Sequence, residues 1–534
     1  MIKTSRSLRT AALLASLMGG VALPAMAETP PNMLVIANRI DDIKTFDPAE
    51  SFEFAGADVS RNVYEKLVNF DPLDLDAGYQ PELAESWEVS EDGTTITFTM
   101  ADGHVFASGN PVTAKDAAFS LQRAVKLNKT PSFILTQFGF TPENAEETIK
   151  AVDDKTLVIT LDQKYAVSFV LNCLTATIGG IVDMATVMEN ETDGDMGSAW
   201  LRTNTAGSGP YKVVDWKPNE SVLMDLNPNY GGEEPAMKRV IVQHIQESAT
   251  QRLQLERGDI DIARNLSPED IASVKETDGL KVVDELKGRL MYWSANQKKD
   301  MLTDPKVLEA LKWAVDYQGM AGSFLNGQYT VHQAFLPLTF LGALTEKPFT
   351  YDMEKSKAAL AASDHPECGT IEISVREAQE RMDIAQSLQN TWGQLGCDVS
   401  LIVGTGAQTL DRYRAREHDI YLGAWGPDYP DPNTNAGTFA VNPDNADEAG
   451  NTGYLAWRNA WDIPEMTQDT LAAVVENDTD TRAEMYVDLQ KTHQQVSPFG
   501  VMFQQIEQHA MQGSVENFIS GGATTAASYW VVTK

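Results

Sequence analysis

Motifs for catalysis and metal binding are missing from this chain of 534 residues. It has only 3 cysteines and 7 histidines, and no Cys-x-x-Cys or His-Glu-x-x-His spacing occurs. It also lacks a Gly-x-Ser-x-Gly elbow, a Gly-x-Gly-x-x-Gly turn and a phosphate-binding loop. We therefore expect no metal, no cofactor and no catalytic residue. Hydrolysis by paired carboxylates stays open, because two carboxylates can meet in space without a sequence motif.

Basic residues are scarce relative to acidic ones. The chain has 42 lysines and arginines against 76 aspartates and glutamates, a formal net charge of −34. Such a field repels nucleic acid and anionic lipid, so we expect neither as a partner. After the amino terminus, no apolar run reaches the roughly 18 residues that suggest a transmembrane helix.

The amino terminus has the form of a secretory signal. Three basic residues precede a short apolar segment, and Ala25-Met26-Ala27 is a small-x-small cleavage site. The sequence predicts a signal peptide over residues 1–27, cleaved after Ala27, and export to the periplasm. A retained membrane anchor is the alternative, but the apolar run is short for a permanent span.

Strand-like and helix-like segments alternate along the chain, which favours a mixed α/β fold. The strand-like segments "TIEISV" and "CDVSLIV" flank a helical segment that ends near Gly396. If they form adjacent parallel strands, Cys368 and Cys397 lie at the same ends of neighbours. A disulfide between these two residues is then predicted, with two free thiols as the alternative. Cys173 lies in an apolar segment and is predicted to be a buried thiol.

The segment "GAWGPDYPDP", residues 423–432, follows the strand-like "HDIYLGAW". It combines Trp425 and Tyr429 with Asp428 and Asp431, and no basic residue stands beside these carboxylates. Unpaired carboxylates between aromatic rings favour the binding of a cation. Alternatively, the three prolines only shape a rigid turn that Asp431 caps.

Over nearly the whole mature chain, the sequence resembles the extracellular solute-binding proteins of ABC peptide importers, which are the dipeptide- and oligopeptide-binding proteins. No single segment is specific, but their order along the chain is. The segments are "TFDPAES", "VYEKLVNFDP", "PELAESWEVSEDGTTITFTMADGHVFASGNPVTAKDAAFSLQRA", "GSGPYKVVDW", "LNPNY", "LERGDIDIA", "DPKVLEALKWAVDYQGMA" and "AWGPDYPDP".

This resemblance implies a large two-lobed periplasmic binding protein whose lobes are joined by two crossing strands. "RLMYWSANQ", residues 289–297, and "PFGVMFQQ", residues 498–505, match those crossings. The first lobe would then be discontinuous, at residues 28–288 plus 506–534, with an extra subdomain at about 75–210. The second lobe would span residues 289–505.

The resemblance also implies the groups that bind the two ends of a peptide. Asp428 matches the aspartate that takes the ligand's ammonium group, with Trp425 and Tyr429 as walls. Arg376 matches, within one residue, the arginine that takes the carboxylate in the dipeptide-binding type. The alternative for Arg376 is a solvated arginine on a loop. An arginine used by the oligopeptide-binding type is replaced here by Leu422.

Further cleft residues are expected from the same resemblance. The backbone of Gly207, Ser208 and Gly209 would pair with an extended ligand, because glycine lets another backbone approach closely. The alternative is a simple turn before a strand. Two more predicted lining positions are weaker: the pair Glu53 and Phe54, and Trp457, which would suit a core position equally well.

The function that follows is capture of a small solute, a short peptide first of all, and its delivery to the membrane permease subunits of an ABC importer by a monomeric receptor. Non-peptide cargoes on the same fold stay open: an opine-like conjugate, an oligosaccharide, or a nickel or haem chelate. A secreted hydrolase is a more distant alternative.

Overall fold

A computed structural model of the chain describes residues 29–74, 77–522 and 526–534. The predicted signal peptide lies outside these residues. The strands are β1 (Met33–Asn38), β2 (Val68–Phe70), β3 (Tyr79–Pro81), β4 (Ala84–Val89), β5 (Thr95–Met100), β6 (Ile149–Ala151), β7 (Thr156–Thr160), β8 (Tyr211–Lys217), β9 (Ser221–Leu226), β10 (Arg239–His244), β11 (Ile262–Ala263), β12 (Leu280–Ala295), β13 (Tyr329–Val331), β14 (Thr370–Arg376), β15 (Asp398–Gly404), β16 (Ile420–Trp425) and β17 (Phe499–Gln512).

Helices alternate with these strands, as the sequence predicts for a mixed α/β fold. They are α1 (Phe54–Val63), α2 (Ala114–Leu127), α3 (Phe133–Thr136), α4 (Ala145–Thr148), α5 (Val167–Leu174), α6 (Met184–Glu189), α7 (Ser198–Leu201), α8 (Ser248–Arg257), α9 (Pro268–Lys275), α10 (Asp300–Thr303), α11 (Pro305–Trp313), α12 (Tyr317–Gly322), α13 (Met353–Ala361), α14 (Gln379–Gly393), α15 (Gly406–Arg414), α16 (Asn433–Phe439), α17 (Leu455–Arg458), α18 (Pro464–Val475) and α19 (Thr479–Val496). Across the described ranges, none of them has the length and hydropathy that crossing a membrane requires.

Two long antiparallel strands, β12 and β17, hold the architecture together. They pair from Leu280 opposite Gln512 to Ser294 opposite Phe499, with a register shift after Leu286. At 16 and 14 residues they are far longer than the usual strand of about 5–6. The largest sheet has the order β15-β14-β16-β12-β17-β11-β1-β10-β9-β8, with β13 added on β17. The two long strands therefore run through both lobes of a two-lobed fold.

The predicted crossings at residues 289–297 and 498–505 overlap these two strands but do not cover them. β12 begins at Leu280 and β17 continues to Gln512, because each also pairs within the first lobe's part of the sheet. The predicted lobe boundaries, at 288/289 and 505/506, fall inside the paired strands and stay a prediction.

The insertion in the first lobe has its own antiparallel sheet, in the order β4-β5-β7-β6. Helix α2 begins with the capping box that Thr113 and Asp116 form, and its inner face is buried with the strands. Helix α5 packs into the same core through Phe169 and Leu171. This insertion carries the surface that meets the second lobe.

In the second lobe, β14, α14 and β15 form the predicted β-α-β unit. β14 is parallel to both β15 and β16, and its first residue, Thr370, lies opposite Asp398, the first residue of β15. Cys368 and Cys397 precede the two strands, and a disulfide with a Cα–Cα distance of 4.9 Å joins them. Cys173 is a buried free thiol in the first lobe.

Layers of side chains on both faces of the second lobe's sheet fix its helices. Trp293 of β12 meets Trp392 of α14 edge to face at 5.5 Å, and neither ring is exposed. The preceding residue, Tyr292, joins the core on the opposite face with Tyr421 and Tyr413 of α15. Helices α14 and α15 thus pack on opposite faces of the sheet, and both begin at the edge where β14 and β15 end.

A buried ion pair ties the insertion to the rest of the first lobe. The guanidinium of Arg123 on α2 binds both carboxylate oxygens of Asp47, at 2.7 and 2.6 Å, and both side chains are buried. The Nε of Arg123 donates to the carbonyl of Met196 at 2.7 Å. Asp47 belongs to the "TFDPAES" segment, so this pair gives that sequence a structural role.

Replacing Arg123 by alanine is expected to lower the free energy of unfolding by about 3–5 kcal/mol, because Asp47 then stays buried and unpaired. The measurement is urea denaturation followed by circular dichroism. Arg239→Ala is the control, since Arg239 pairs with Asp225 on the surface, where solvent screens the interaction. Similar denaturation midpoints for the two variants would contradict this role of Arg123.

Candidate functional site

The candidate site lies at the edge of the sheet where three parallel strands of the second lobe end. β14 ends at Arg376, β15 leads through Thr405 into α15 at Gly406, and β16 ends at Trp425. Ligands of open α/β sheets bind outside the carboxyl ends of the strands. Trp425 lies opposite Leu290 of β12, so this edge is beside the crossing strands.

The segment of residues 425–432 also contacts the first lobe. Tyr429 is buried in the insertion's core, where its ring lies 5.9 Å from that of Phe169 on α5. Its hydroxyl is 3.4 Å from Oε1 of Gln137. The segment therefore lies where the two lobes meet, as a ligand enclosed by both lobes requires.

Asp431 holds this segment in place. Arg482 of α19 binds its two carboxylate oxygens at 2.8 and 2.9 Å, and both side chains are buried. Asn172 of α5 donates a further hydrogen bond to Asp431 at 3.2 Å. This carboxylate is fully used within the protein, so the turn has the rigid anchor that the prolines and Asp431 suggested.

Asp428 is in the opposite situation. Within the described residues its carboxylate has no hydrogen bond and no ion pair, and only its backbone N–H is used, donating to Oγ1 of Thr434 at 2.9 Å. Burial raises the pKa of Asp428 to about 7, because no cation offsets the lost hydration of the carboxylate. An acidic group with a perturbed pKa at a cleft is typical of a functional site.

Beside this segment, a cavity of about 240 Å³ contains Arg376 and Trp425 together. Tyr292, Tyr421 and Gly406 are among its other lining residues. The indole N–H of Trp425 is buried without a hydrogen-bond partner in the described structure. The structure thus brings Arg376 and Trp425 together at one cavity, whereas Asp428, three residues after Trp425, is not among the residues that line it.

Three arginines that the sequence analysis missed line the same cavity: Arg381, Arg414 and Arg458. They come from α14, α15 and α17, which are separate in sequence. The segment "REAQERM" contained a signal for Arg381, five residues after Arg376. Nothing in the sequence pointed to Arg414 or Arg458, because helix packing alone brings them here.

The predicted glycines pack against the protein itself. A Cβ atom on Gly207 would lie 1.8 Å from the carbonyl oxygen of Val63, and one on Gly209 would lie 2.7 Å from the carbonyl carbon of Val63. Gly209 donates its N–H to the Val63 carbonyl at 3.1 Å, and Ala107 donates to the Gly207 carbonyl at 3.0 Å. The close backbone approach expected for a ligand is thus made by the end of α1. Ser208 keeps a buried hydroxyl without a partner in the described structure.

The remaining predicted residues lie apart from the cavity's lining. Glu53 precedes α1 and pairs with Lys44 at 2.8 Å, and Phe54 is 82% exposed. Trp457 is buried, donates its indole N–H to the Ala446 carbonyl at 3.0 Å and is covered by Arg416. A core role therefore accounts for Trp457, and ligand contact stays a prediction for all three.

A larger cavity, of about 620 Å³, lies at the opposite end of these strands. Cys368, Gly369 and Thr370 line it, so it lies at the amino end of β14, beside the disulfide. Because ligands of such sheets bind at the carboxyl ends, we place the site at the smaller cavity. In the described ranges, no three His, Cys, Asp or Glu side chains are grouped as a metal site would need.

The fold is that of a two-lobed binding protein, with the candidate site near the junction of its lobes. The chain belongs to the bacterial extracellular solute-binding proteins, family 5, because residues 78–447 match the model described as the middle part of that family. It is a member of the class that serves ABC importers, as its resemblance to peptide-binding receptors implied.

Individual relatives agree with this assignment. The chain is 30% identical over 500 residues to the probable D,D-dipeptide-binding periplasmic protein DdpA of Escherichia coli, covering 93% of each chain. It is 26% identical over 415 residues to heme-binding protein A of Haemophilus influenzae, covering 72% of this chain and 73% of that one. The solved structure of the periplasmic binding protein DppA from Helicobacter pylori, in complex with the peptide STSA, has the same fold. It has a TM-score of 0.75 at 22% identity, covering 94% of this chain and 98% of that one.

Gly207→Ala is expected to lower the free energy of unfolding by at least about 1–3 kcal/mol, because the added methyl group must displace the Val63 carbonyl. Gly393→Ala is the matched control: its Cβ would meet nothing within 4 Å, and alanine favours a helix. Thermal denaturation of the two variants measures the difference. An unchanged Gly207→Ala protein that has lost only solute binding would show that this glycine serves the ligand instead.

Proposed function

We propose that this protein is exported after cleavage at Ala27, binds a short peptide between its lobes and delivers it to the membrane permease subunits of an ABC importer. It acts as a monomer and catalyses no reaction. Its family and the peptide-binding names of its relatives support this proposal.

The observation that carries the proposal is the unpaired carboxylate of Asp428 at the junction of the lobes. A peptide's ammonium group supplies the missing positive charge, and enclosure strengthens the attraction because it excludes water. Trp425, at the start of the same turn, forms the adjoining wall. Asp431 positions Asp428 through its own ion pair with Arg482.

Arg376 binds the peptide's other end. It is exposed at the end of β14 and forms no ion pair among the described residues, so its guanidinium is available for a carboxylate. Bidentate binding of a carboxylate by arginine is strong and directional. An ammonium site and a carboxylate site at one edge of the sheet suit a short zwitterion.

Closure of the lobes couples binding to delivery. The first lobe, residues 28–288 and 506–534, and the second, residues 289–505, move about β12 and β17. A ligand that contacts both lobes stabilises the closed state by its higher affinity for that state. The permease then distinguishes loaded from empty receptor by shape.

The cargo itself is identified by native mass spectrometry of the protein purified from its own periplasm. A ladder of bound peptide masses supports the proposal. Dipeptides of D-residues deserve a place in the comparison, since the Escherichia coli relative is named for them. A single non-peptide mass, such as that of a haem, would agree with a solute receptor but contradict the proposal that the solute is a peptide.

Peptide affinity is expected to rise from pH 5 to about pH 7.5. Asp428, with its pKa raised to about 7, must lose its proton before it can bind an ammonium group. Above about pH 8 the affinity falls again, as the α-amino group of the peptide loses its own proton. Isothermal titration calorimetry over this range measures both limbs, and binding near pH 6 releases protons to the buffer.

The substitution Asp428→Asn is expected to abolish the increase of peptide affinity between pH 5 and pH 7.5. It is also expected to weaken binding at pH 7.5 by about ten- to hundredfold, since a hydrogen bond to a charged group is worth about 1.5–3 kcal/mol. Asp469→Asn, at an exposed position of α18, makes the same charge change and serves as the control. An Asp428→Asn protein with unchanged affinity and pH profile would overturn the role of this carboxylate.

A further inference from the structure

The arginines of this protein divide into two groups by their partners. Most of those in the described residues form ion pairs with aspartate or glutamate, as expected in a chain with 76 acidic residues against 42 basic ones. Arg39 and Arg61 form none, but they donate hydrogen bonds to neighbouring oxygens. The other unpaired arginines of the described chain are Arg376, Arg381, Arg414 and Arg458, and all four line the cavity beside Trp425.

Two of these four are buried. Arg381 and Arg458 are each 7% exposed. The Nε of Arg381 has no partner in the described structure, whereas that of Arg458 donates to the Thr452 carbonyl at 2.6 Å. Burying a guanidinium without an anion costs free energy, because the charge loses its hydration and gains no ion pair. The cavity therefore contains two buried charges that an anion would stabilise.

The electrostatics of the cavity are one-sided. None of its lining residues is acidic. The nearest carboxylate on α14, Glu380, is engaged with Arg289 at 3.3 Å. Burial lowers the pKa of Arg381, and the charges of Arg289 and Arg376 lower it further, whereas Tyr421 and Glu380 act in the opposite direction. An anion in the cavity would relieve both effects.

The mouth of the cavity is shaped for an anion as well. Arg376 and Arg414 are exposed there. A Cβ atom on Gly406 would lie 2.9 Å from Nη2 of Arg376, so glycine at this position leaves room for the guanidinium. Gly406 is the first residue of the nine-residue helix α15, whose amino end adds partial positive charge.

The single terminal carboxylate of a peptide carries too little negative charge to pair with all four arginines of the cavity. A peptide's terminal carboxylate occupies one arginine in bidentate fashion, and Arg376 suffices for that. The cavity, at about 240 Å³, is smaller than the roughly 300–1,000 Å³ of pockets that hold a whole ligand, so it takes one end of the cargo. Tyr292, Leu410 and Tyr421 give it apolar walls, which suit a short hydrocarbon spacer between two anionic groups.

We infer that the cargo carries a second anionic group at the end that Arg376 binds, and that Arg381, Arg414 and Arg458 select for it. This inference rests on the proposed function for the orientation of the cargo and deepens it by naming the substrate class. For a peptide, the class is one with an acidic carboxyl-terminal residue, such as glutamate.

The test compares two pairs of compounds, each differing by one carboxylate against one amide. Alanyl-glutamate and alanyl-glutamine, in L,L and D,D forms, are titrated calorimetrically into the purified receptor. Glutarate and its half-amide, which lack an ammonium group, are compared by their effect on the melting temperature. We expect alanyl-glutamate to bind at least tenfold more tightly than alanyl-glutamine, and glutarate to stabilise the protein more than its half-amide.

The outcomes separate the two proposals. Equal affinities for alanyl-glutamate and alanyl-glutamine would contradict the inference of a second anionic group and would still agree with a peptide receptor. Preference for glutarate over its half-amide, with no binding of either dipeptide, would support the second anion and refute the peptide. If neither form of either dipeptide binds, and neither glutarate nor its half-amide binds, both proposals are contradicted.

Arg414→Gln identifies the selecting side chains. Because Arg414 is exposed, its loss is expected to leave folding intact, and it lowers the affinity for alanyl-glutamate about tenfold while narrowing the preference over alanyl-glutamine. Arg412→Gln is the matched control on the same helix, since Arg412 pairs with Glu372 and lies outside the cavity's lining. Equal effects of the two substitutions would contradict the inference.

Discussion

The pairing of β12 with β17 is the interaction on which the rest of the structure depends. Residues 280–294 and 499–512 form an antiparallel ladder with two register shifts, and this ladder lies between β16 and β11 in the largest sheet. Because β16 pairs with β12, the ladder adjoins the edge where β14, β15 and β16 end, which is the edge of the candidate site. The same two strands overlap the predicted crossings between the lobes, and the register shifts follow Leu286 and Met291 of β12.

Paired and unpaired charged groups stand very close together in the sequence of the second lobe. Asp431 is buried against Arg482, whereas Asp428, three residues earlier, has no partner in the described structure. On α15, Arg412 pairs with Glu372 while Arg414 faces the cavity unpaired. The paired groups stabilise the fold, and their unpaired neighbours are held in fixed positions as a consequence.

Several residues predicted from the family resemblance, and segments that carry it, have packing roles in the structure. Asp47 of "TFDPAES" neutralises Arg123, and the glycines of "GSGPY" let the chain pass the end of α1. Trp457 is covered by Arg416. Such residues are restricted by close contacts inside the protein, so the resemblance predicts the fold better than it predicts the ligand.

The sequence by itself determined the α/β class, the two-lobed family and the β-α-β unit with Cys368 and Cys397 at neighbouring strand ends. The α/β class and the β-α-β unit follow from hydrophobic periodicity, caps and turns, which act over a few residues. The two-lobed family was implied instead by the resemblance of ordered segments to peptide-binding receptors. The lack of a basic residue beside Asp428 and Asp431 predicted a carboxylate for a cation, and the family resemblance singled out Asp428. Tertiary structure alone decided that Asp431 is paired and Asp428 is not, since Arg482 is distant in sequence. It alone gathered Arg376, Arg381, Arg414 and Arg458, because helices α14, α15 and α17 meet only through packing on the sheet, and no local pattern encodes that meeting.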